Sequence, residues 1–334
     1  MVAFEKKKTG MARIAAVLLA LILAFGMLAG CAGQKQGKDD GKIRIVTTIF
    51  PVYDWVRQIV GEESDRVQIT MLMDNGADLH NYQPTAQDMA QISSCDLFIY
   101  VGGLSDDWVR DALKNDAKDS RVTMDLMQIL GDRVREEELV EGMQAEEEEE
   151  EEGEGPEFDE HIWLSLKNAA LLTEAIAGEL EKIDPDNAER YSSNAEAYCG
   201  ALKELDGAYE AAVADAGKDT LLFADRFPFR YLVEDYGLRY YAAFVGCSAE
   251  TEASFDTVIF LAQKTDELGL NAICQIETSD GTLAQTVKQT TQAKDQKILT
   301  LDSMQNLTKK DAESGKTYLE IMQENLDVLK EALS

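Results

Sequence analysis

His80 and His161 are the only two imidazoles in a chain of 334 residues. Neutral imidazole is the commonest protein ligand for transition metals, so a pair set in loops of an acidic chain points to a divalent-cation site. His80 lies in Asp74-Asn75-Gly76-Ala77-Asp78-Leu79-His80-Asn81-Tyr82-Gln83-Pro84-Thr85, a turn-rich stretch between an apolar strand and a helix. His161 lies in Phe158-Asp159-Glu160-His161-Ile162-Trp163-Leu164-Ser165, shortly after a glutamate run. The competing reading of each is a surface polar residue or a satisfied core histidine.

From Ile43 onward, short apolar segments alternate with helical patterns, which implies an α/β fold with a parallel sheet. Strands are expected at 43–47, 67–71, 97–101 and 122–124, with helices at 52–60, 84–93 and 107–114. Residues 138–160 interrupt the pattern, and the seven like charges of Glu146–Glu152 repel one another, so a solvated loop is expected there. Helices follow at 167–183 and 185–216, separated by the start signal Asp184-Pro185-Asp186. The second of these would run roughly 50 Å, enough to bridge two lobes. The alternation then restarts, with strands at 221–224, 239–244, 272–276 and 297–301 and helices at 229–236, 255–268, 283–291 and 318–333. The expected architecture is two α/β lobes, 43–184 and 217–334, each with a central mostly parallel sheet flanked by helices, joined by one long helix at 185–216.

Open α/β sheets bind ligands beyond the carboxyl ends of their strands. His80 follows the strand at 67–71, His161 closes the first lobe, Asp225 follows 221–224, and Glu277 and Asp280 follow 272–276. Two imidazoles from one lobe and one or two carboxylates from the other would close on a cation. The plainer alternatives are that Asp225 pairs with Arg226 or Arg230, and that Asp280 is a turn residue before Gly281. Glu250 and Glu252 read equally well as helix-start residues near Ser254.

The N-terminus has the form of a lipoprotein signal at 1–30. Lys6, Lys7, Lys8 and Arg13 precede an apolar stretch, and Leu28-Ala29-Gly30-Cys31 ends it with small residues before a cysteine. Cleavage would leave a lipid on Cys31 and a flexible tether at 31–42. Residues 1–30 carry four positive charges and one negative, so the net charge moves from -31 to about -34 without them. Such a surface repels phosphates and argues against nucleic acid as a partner. Cys95, Cys199, Cys247 and Cys274 show no CxxC spacing and read as buried free thiols, with a Cys247–Cys274 disulfide as the rival.

In this order behind such a signal, several segments resemble the zinc and manganese substrate-binding lipoproteins of bacterial ABC importers. They are Gly76 to Thr85, His161-Ile162-Trp163-Leu164-Ser165, Asp184-Pro185-Asp186-Asn187-Ala188, Tyr236-Gly237-Leu238 and Ala284-Gln285-Thr286-Val287. The resemblance covers essentially the whole mature chain. It implies a monomeric, extracytoplasmic, lipid-anchored binding protein that captures Zn2+ or Mn2+ between two lobes and hands it to a permease and its ATPase, with no chemical turnover. It also implies a third ligand where this chain has Arg226, once Phe229 and Tyr231 are matched to the family's aromatic residues. An arginine cannot ligate a cation, so that role is assigned to Asp225, and the fourth to Asp280 with Glu277 as substitute. The expected metal ligands are thus His80, His161, Asp225 and Asp280. Two nitrogens and two oxygens suit zinc, and also manganese when a carboxylate is bidentate, so zinc is the favoured cargo with manganese as the alternative.

Two other functions compete, a metal-stabilised surface adhesin and a zinc metallohydrolase. Against the second, the chain has no HExxH motif and no third histidine. The loop before the second histidine is glutamate-rich here, where many zinc-type relatives have histidines. If that run is accessory, deleting Glu146–Glu152 leaves zinc affinity at the main site unchanged in a competition titration.

Overall fold

The computed structural model describes residues 41–61, 65–114, 120–144, 157–248 and 252–334; the expected leader, Cys31 and the Glu146–Glu152 block lie outside them. Gly41 and Lys42 are the described end of a separate N-terminal unit, and Ile43–Ser334 form the compact body. Among the described residues, no helix is long and apolar enough to cross a membrane.

Two four-stranded parallel sheets organise the body. The first contains β1 (Ile43–Thr47), β2 (Val67–Met71), β3 (Leu97–Tyr100) and β4 (Val122–Asp125) in the order β2-β1-β3-β4. The second contains β5 (Thr220–Phe227), β6 (Arg239–Val245), β7 (Ala272–Ile276) and β8 (Lys297–Leu301) in the equivalent order β6-β5-β7-β8. Parallel strands covered by helices on both faces are continuous apolar runs, and Leu97, Phe98 and Ile99 are accordingly buried.

The first sheet is flanked by α1 (Phe50–Val60), α2 (Ala86–Ser94), α3 (Trp108–Lys114), α4 (Leu126–Leu130) and α5 (Leu166–Ile183). The second is flanked by α7 (Arg230–Tyr236), α8 (Phe255–Glu267), α9 (Thr282–Thr290), α10 (Lys309–Glu313) and α11 (Tyr318–Ala332). Helix starts follow capping chemistry: Thr85 with Asp88, Thr308 with Asp311 and Thr317 with Glu320 each form a reciprocal capping box. Pro84, expected to open α2, sits one residue before its cap.

The lobes are joined by α6 (Ala188–Ala214), preceded by a 3-10 turn at Pro185–Asn187. The α-helical part has 27 residues, so it spans ~40 Å, less than the sequence suggested. Its buried residues are Tyr191, Ala195, Tyr198, Leu202, Leu205 and Tyr209, spaced alternately four and three apart, which makes one continuous stripe. Hydrogen bonds pin the helix along its length: Asn194 Nδ2 donates to Ile59 O at 3.0 Å, and Tyr209 OH donates to Met322 O at 2.7 Å.

The lobes also share a core. Trp163, 1% exposed, donates through Nε1 to Ser303 O at 2.9 Å, and Tyr318 OH donates to Trp163 O at 2.6 Å. The backbone N–H of Tyr318 reaches the buried Asp54 carboxylate at 2.9 Å. Burial raises the Asp54 pKa, while the Tyr318 N–H and Arg57 act in the opposite sense.

A frame pinned in this way has little freedom to hinge, so small-angle scattering profiles with and without bound divalent metal are expected to superimpose; a large compaction would contradict it. Tyr318→Phe leaves the buried Trp163 carbonyl without its donor. It should lower unfolding free energy by about 1–3 kcal/mol, read as a lower urea midpoint at unchanged slope.

Candidate metal site

The loop after β2 presents His80. Asp78 opens a 3-10 turn at Leu79–Asn81, its Oδ1 accepting from the His80 N–H at 3.1 Å, and Leu79 anchors that turn in the core. The other Asp78 oxygen accepts from Arg226 Nη2 of the second lobe at 3.0 Å. Burial opposes the Asp78 charge, but His80 and Arg226 outweigh it and hold the carboxyl below its usual range.

The His80 ring is held from behind. Its Nδ1 lies 2.9 Å from Ser105 Oγ and 3.5 Å from Glu160 Oε2. Glu160 is 2% exposed; its Oε1 accepts from the Ser105 N–H at 2.8 Å, while Oε2 makes no hydrogen bond among the described residues. A carboxylate and a hydroxyl behind one ring nitrogen orient the other outward.

His161 is fully buried and is held in the same manner. Asp159 Oδ1 accepts from its backbone N–H at 2.8 Å and from its Nδ1 at 2.9 Å. Asp159 is fixed in turn, since Tyr231 OH donates to its carbonyl at 2.6 Å. The two Nε2 atoms end 3.2 Å apart.

At that distance one Nε2 donates a hydrogen bond to the other, or both face a single cation. Burial opposes charge on His161, yet the carboxylates of Asp159, Glu160 and Glu137 outweigh it and raise the pKa above its ordinary value. The hydrogen-bond network orients the Gln305 amide with its nitrogen on Asp78 and its oxygen 2.9 Å from His161 Nε2. A proton on His161 Nε2 is therefore shared between His80 and Gln305. A cation entering there takes the place of that proton.

A third donor arrives from β6. Among the described residues, His80, His161 and Cys247 form the one group of such side chains that could hold a metal ion, their ligand atoms all within 4.8 Å of one another. Cys247 stands two residues past the end of β6 and is half-buried, and its N–H donates to Glu137 Oε1 at 3.0 Å. Gly246 brings it there. A Cβ on Gly246 would lie 2.9 Å from Phe227 O and 3.1 Å from the His161 ring, so the strand end lies flat on the imidazole only with glycine. Burial and the carboxylates of Asp159, Glu137 and Glu160 push the Cys247 thiol well up. His80, Glu160 and Cys247 line a cavity of about 490 Å³ rimmed by Leu104, Leu139 and Phe158.

Of the four ligands expected from the sequence, His80 and His161 meet, whereas Asp225 and Asp280 do not join them. The reason lies in β5, which runs on through Asp225 and Arg226 to Phe227 with a register irregularity after Phe223. Asp225 is thus inside the strand, accepting from the Arg226 and Ile276 N–H groups at 2.8 and 3.3 Å. Asp280 caps the Thr282 N–H at 2.7 Å. Both line a different cavity, to which neither histidine contributes. Glu277 is engaged as well, accepting from Ser303 N, Ser303 Oγ and Gln305 N at 2.7, 2.8 and 3.3 Å. Burial and Asp302 push its pKa up to about 7. It organises the loop that carries Gln305 to His161.

Sequence reasoning missed Cys247, although the strand-end rule applied to β5 and β7 also covers β6. It also gave no role to Asp159 and Glu160, the residues just before His161. Cys247 and Cys274 are both free thiols, so the Cys247–Cys274 disulfide is absent.

Known proteins share this fold. The model of the family described as "ZnuA: Zinc-uptake complex component A periplasmic" matches residues 45–332. The chain is 33% identical over 328 residues to the zinc-binding lipoprotein AdcA of Streptococcus pneumoniae, covering 96% of this chain but 61% of that protein. It is 30% identical over 331 residues to the high-affinity zinc uptake system protein ZnuA of Bacillus subtilis, covering 98% of both. The solved Zn(II)-bound ZnuA-like domain of S. pneumoniae AdcA superimposes with a TM-score of 0.68 at 29% identity, over 88% of this chain and 99% of that one. Two parallel-sheet lobes on a long helix, matched end to end by that model, make this chain a member of the zinc-uptake complex component A family.

Proposed function

We propose that this protein is the extracytoplasmic solute-binding component of a zinc importer, capturing Zn2+ at His80 and His161 and delivering it to a membrane permease driven by an ATPase. One observation carries the reading. Two imidazoles converge, His161 Nδ1 on the buried Asp159 carboxylate and His80 Nδ1 on Ser105 Oγ and beside the buried Glu160 carboxylate, with their Nε2 atoms 3.2 Å apart. Nitrogens 3.2 Å apart, each ~2.0–2.1 Å from a single zinc, subtend about 100° at the metal, close to the tetrahedral angle. The site is therefore close to the spacing zinc requires.

The frame supports binding and release without turnover. Metal-bound histidines that donate their second ring nitrogen to a carboxylate are fixed in tautomer and orientation, as His161 is by Asp159. The relatives named above are zinc-binding and zinc-uptake proteins, which supports zinc as the cargo. The Leu28-Ala29-Gly30-Cys31 sequence supports a lipid anchor on Cys31, and we assign the mature protein as a tethered monomer.

His80→Ala and His161→Ala should each abolish tight zinc binding in a chelator competition titration while the folded circular dichroism spectrum persists; retained affinity in either would refute the site. Asp225→Asn should be nearly silent in the same titration, because its carboxylate serves the backbone of β5 and β7.

A further inference from the structure

The geometry points to Cys247 as the third zinc ligand, a thiolate that replaces the nitrogen or oxygen donor expected opposite the two histidines and makes the site selective for thiophilic cations. This rests on the zinc-binding reading above and deepens it.

Three observations converge. First, Cys247 Sγ lies within 4.8 Å of both imidazole ligand atoms, in a group that no Asp or Glu of the described residues joins. With a Zn–S bond of ~2.3 Å and Zn–N bonds of ~2.0–2.1 Å, a tetrahedral site holds sulfur and nitrogen about 3.6 Å apart. The remaining approach is at most about 1.2 Å, within reach of one side-chain rotation.

Second, the side chain at the position expected to ligate is committed elsewhere. Arg226 bonds Asp78 Oδ2 at 3.0 Å and Ser248 O at 3.1 Å. The residue after Cys247 is thus held by the arginine, and the residue two before His80 is held by the same guanidinium. Arg226 positions donors on both sides of the site instead of supplying one.

Third, the approach of Cys247 is built. Gly246 lies against the His161 ring where any side chain would collide, and Glu137 receives the Cys247 N–H. Glu160 backs the other ring, its buried Oε2 lying 3.5 Å from His80 Nδ1.

When the sulfur bonds the cation, the thiol proton leaves to solvent and the S–H bond is replaced by S–Zn with no change of oxidation state. Two imidazoles and a thiolate favour zinc or cadmium and disfavour manganese, which prefers oxygen donors. The cargo question left open by a two-nitrogen, two-oxygen set is answered by the sulfur.

The test uses the full chain loaded with one equivalent of cobalt(II) as a spectroscopic stand-in for zinc. Wild type should show an intense near-ultraviolet sulfur-to-cobalt charge-transfer band. Cys247→Ser should lose it, while Cys199→Ser keeps it. Zinc affinity of Cys247→Ser should fall by more than the roughly 10–100-fold that loss of a supporting partner costs, and wild type should retain zinc against excess manganese. Stoichiometric cobalt without that band, or a band that survives in Cys247→Ser, overturns the thiolate while leaving zinc binding by the histidines intact. Loss of cobalt binding in His80→Ala and His161→Ala tests the underlying reading separately. If Cys247→Ser does not fold, alkylation of wild type by N-ethylmaleimide decides: zinc should protect Cys247 in peptide mapping, and equal labelling with and without zinc overturns the proposal.

Discussion

Two imidazole nitrogens meet 3.2 Å apart, where a single proton or a single cation can bridge them. Much of the first lobe serves that juxtaposition. Asp159 holds His161 by both its backbone and its ring, Tyr231 of the second lobe holds Asp159, and Ser105 and Glu160 hold the back of the His80 ring. Each support is buried or nearly so, where a hydrogen bond to a charged group is stronger than in water and its loss is costly. A proton on His161 Nε2 has His80 Nε2 and the Gln305 amide oxygen as acceptors. Zinc bound as proposed would take the place of that proton.

The second lobe contributes to this arrangement chiefly through Arg226. Its guanidinium is permanently charged and forked, suited to holding a carboxylate and a carbonyl together. Here it joins Asp78, which caps the turn of His80, to the carbonyl of Ser248, which follows Cys247. A residue that cannot bind a cation thereby aligns the loops whose side chains can. The pair is largely buried, so water does not screen it as it would a surface ion pair.

The scaffold was largely legible in the sequence because parallel strands buried on both faces announce themselves as short apolar runs. β1, β2, β7 and β8 begin and end where the apolar pattern does. The histidines were legible because so few occur. The donors of the second lobe were not, for a local reason. Asp225-Arg226-Phe227 reads as a polar loop after an apolar strand, yet those residues continue β5 past a register irregularity and carry Asp225 into the backbone of the sheet. Composition does not show where a strand slips register. Cys247 was hidden by its chemistry: a cysteine between small residues reads as core, and only tertiary contact with His161, through Gly246, shows that it faces a cavity. Asp159 and Glu160 were obscured by the acidic run before them, where any single carboxylate looks like one more solvated charge.

The unequal division of donors bears on release. Both histidines belong to the first lobe and are backed by buried groups, while Cys247 comes from the end of β6 in the second. With the thiolate as third ligand, the cation is held twice by a rigid wall and once by a strand terminus. The long helix, the shared core around Trp163 and the hydrogen bonds of Tyr318 resist hinging of whole lobes. Moving the strand terminus would break one metal bond together with the Cys247–Glu137 and Arg226–Ser248 hydrogen bonds and the contact of Gly246 with His161, whereas opening from the histidine side would break two metal bonds and uncover Asp159 and Glu160. With that ligand set, a partner that withdraws Gly246–Ser248 breaks one metal bond and leaves the two imidazoles on their buried supports.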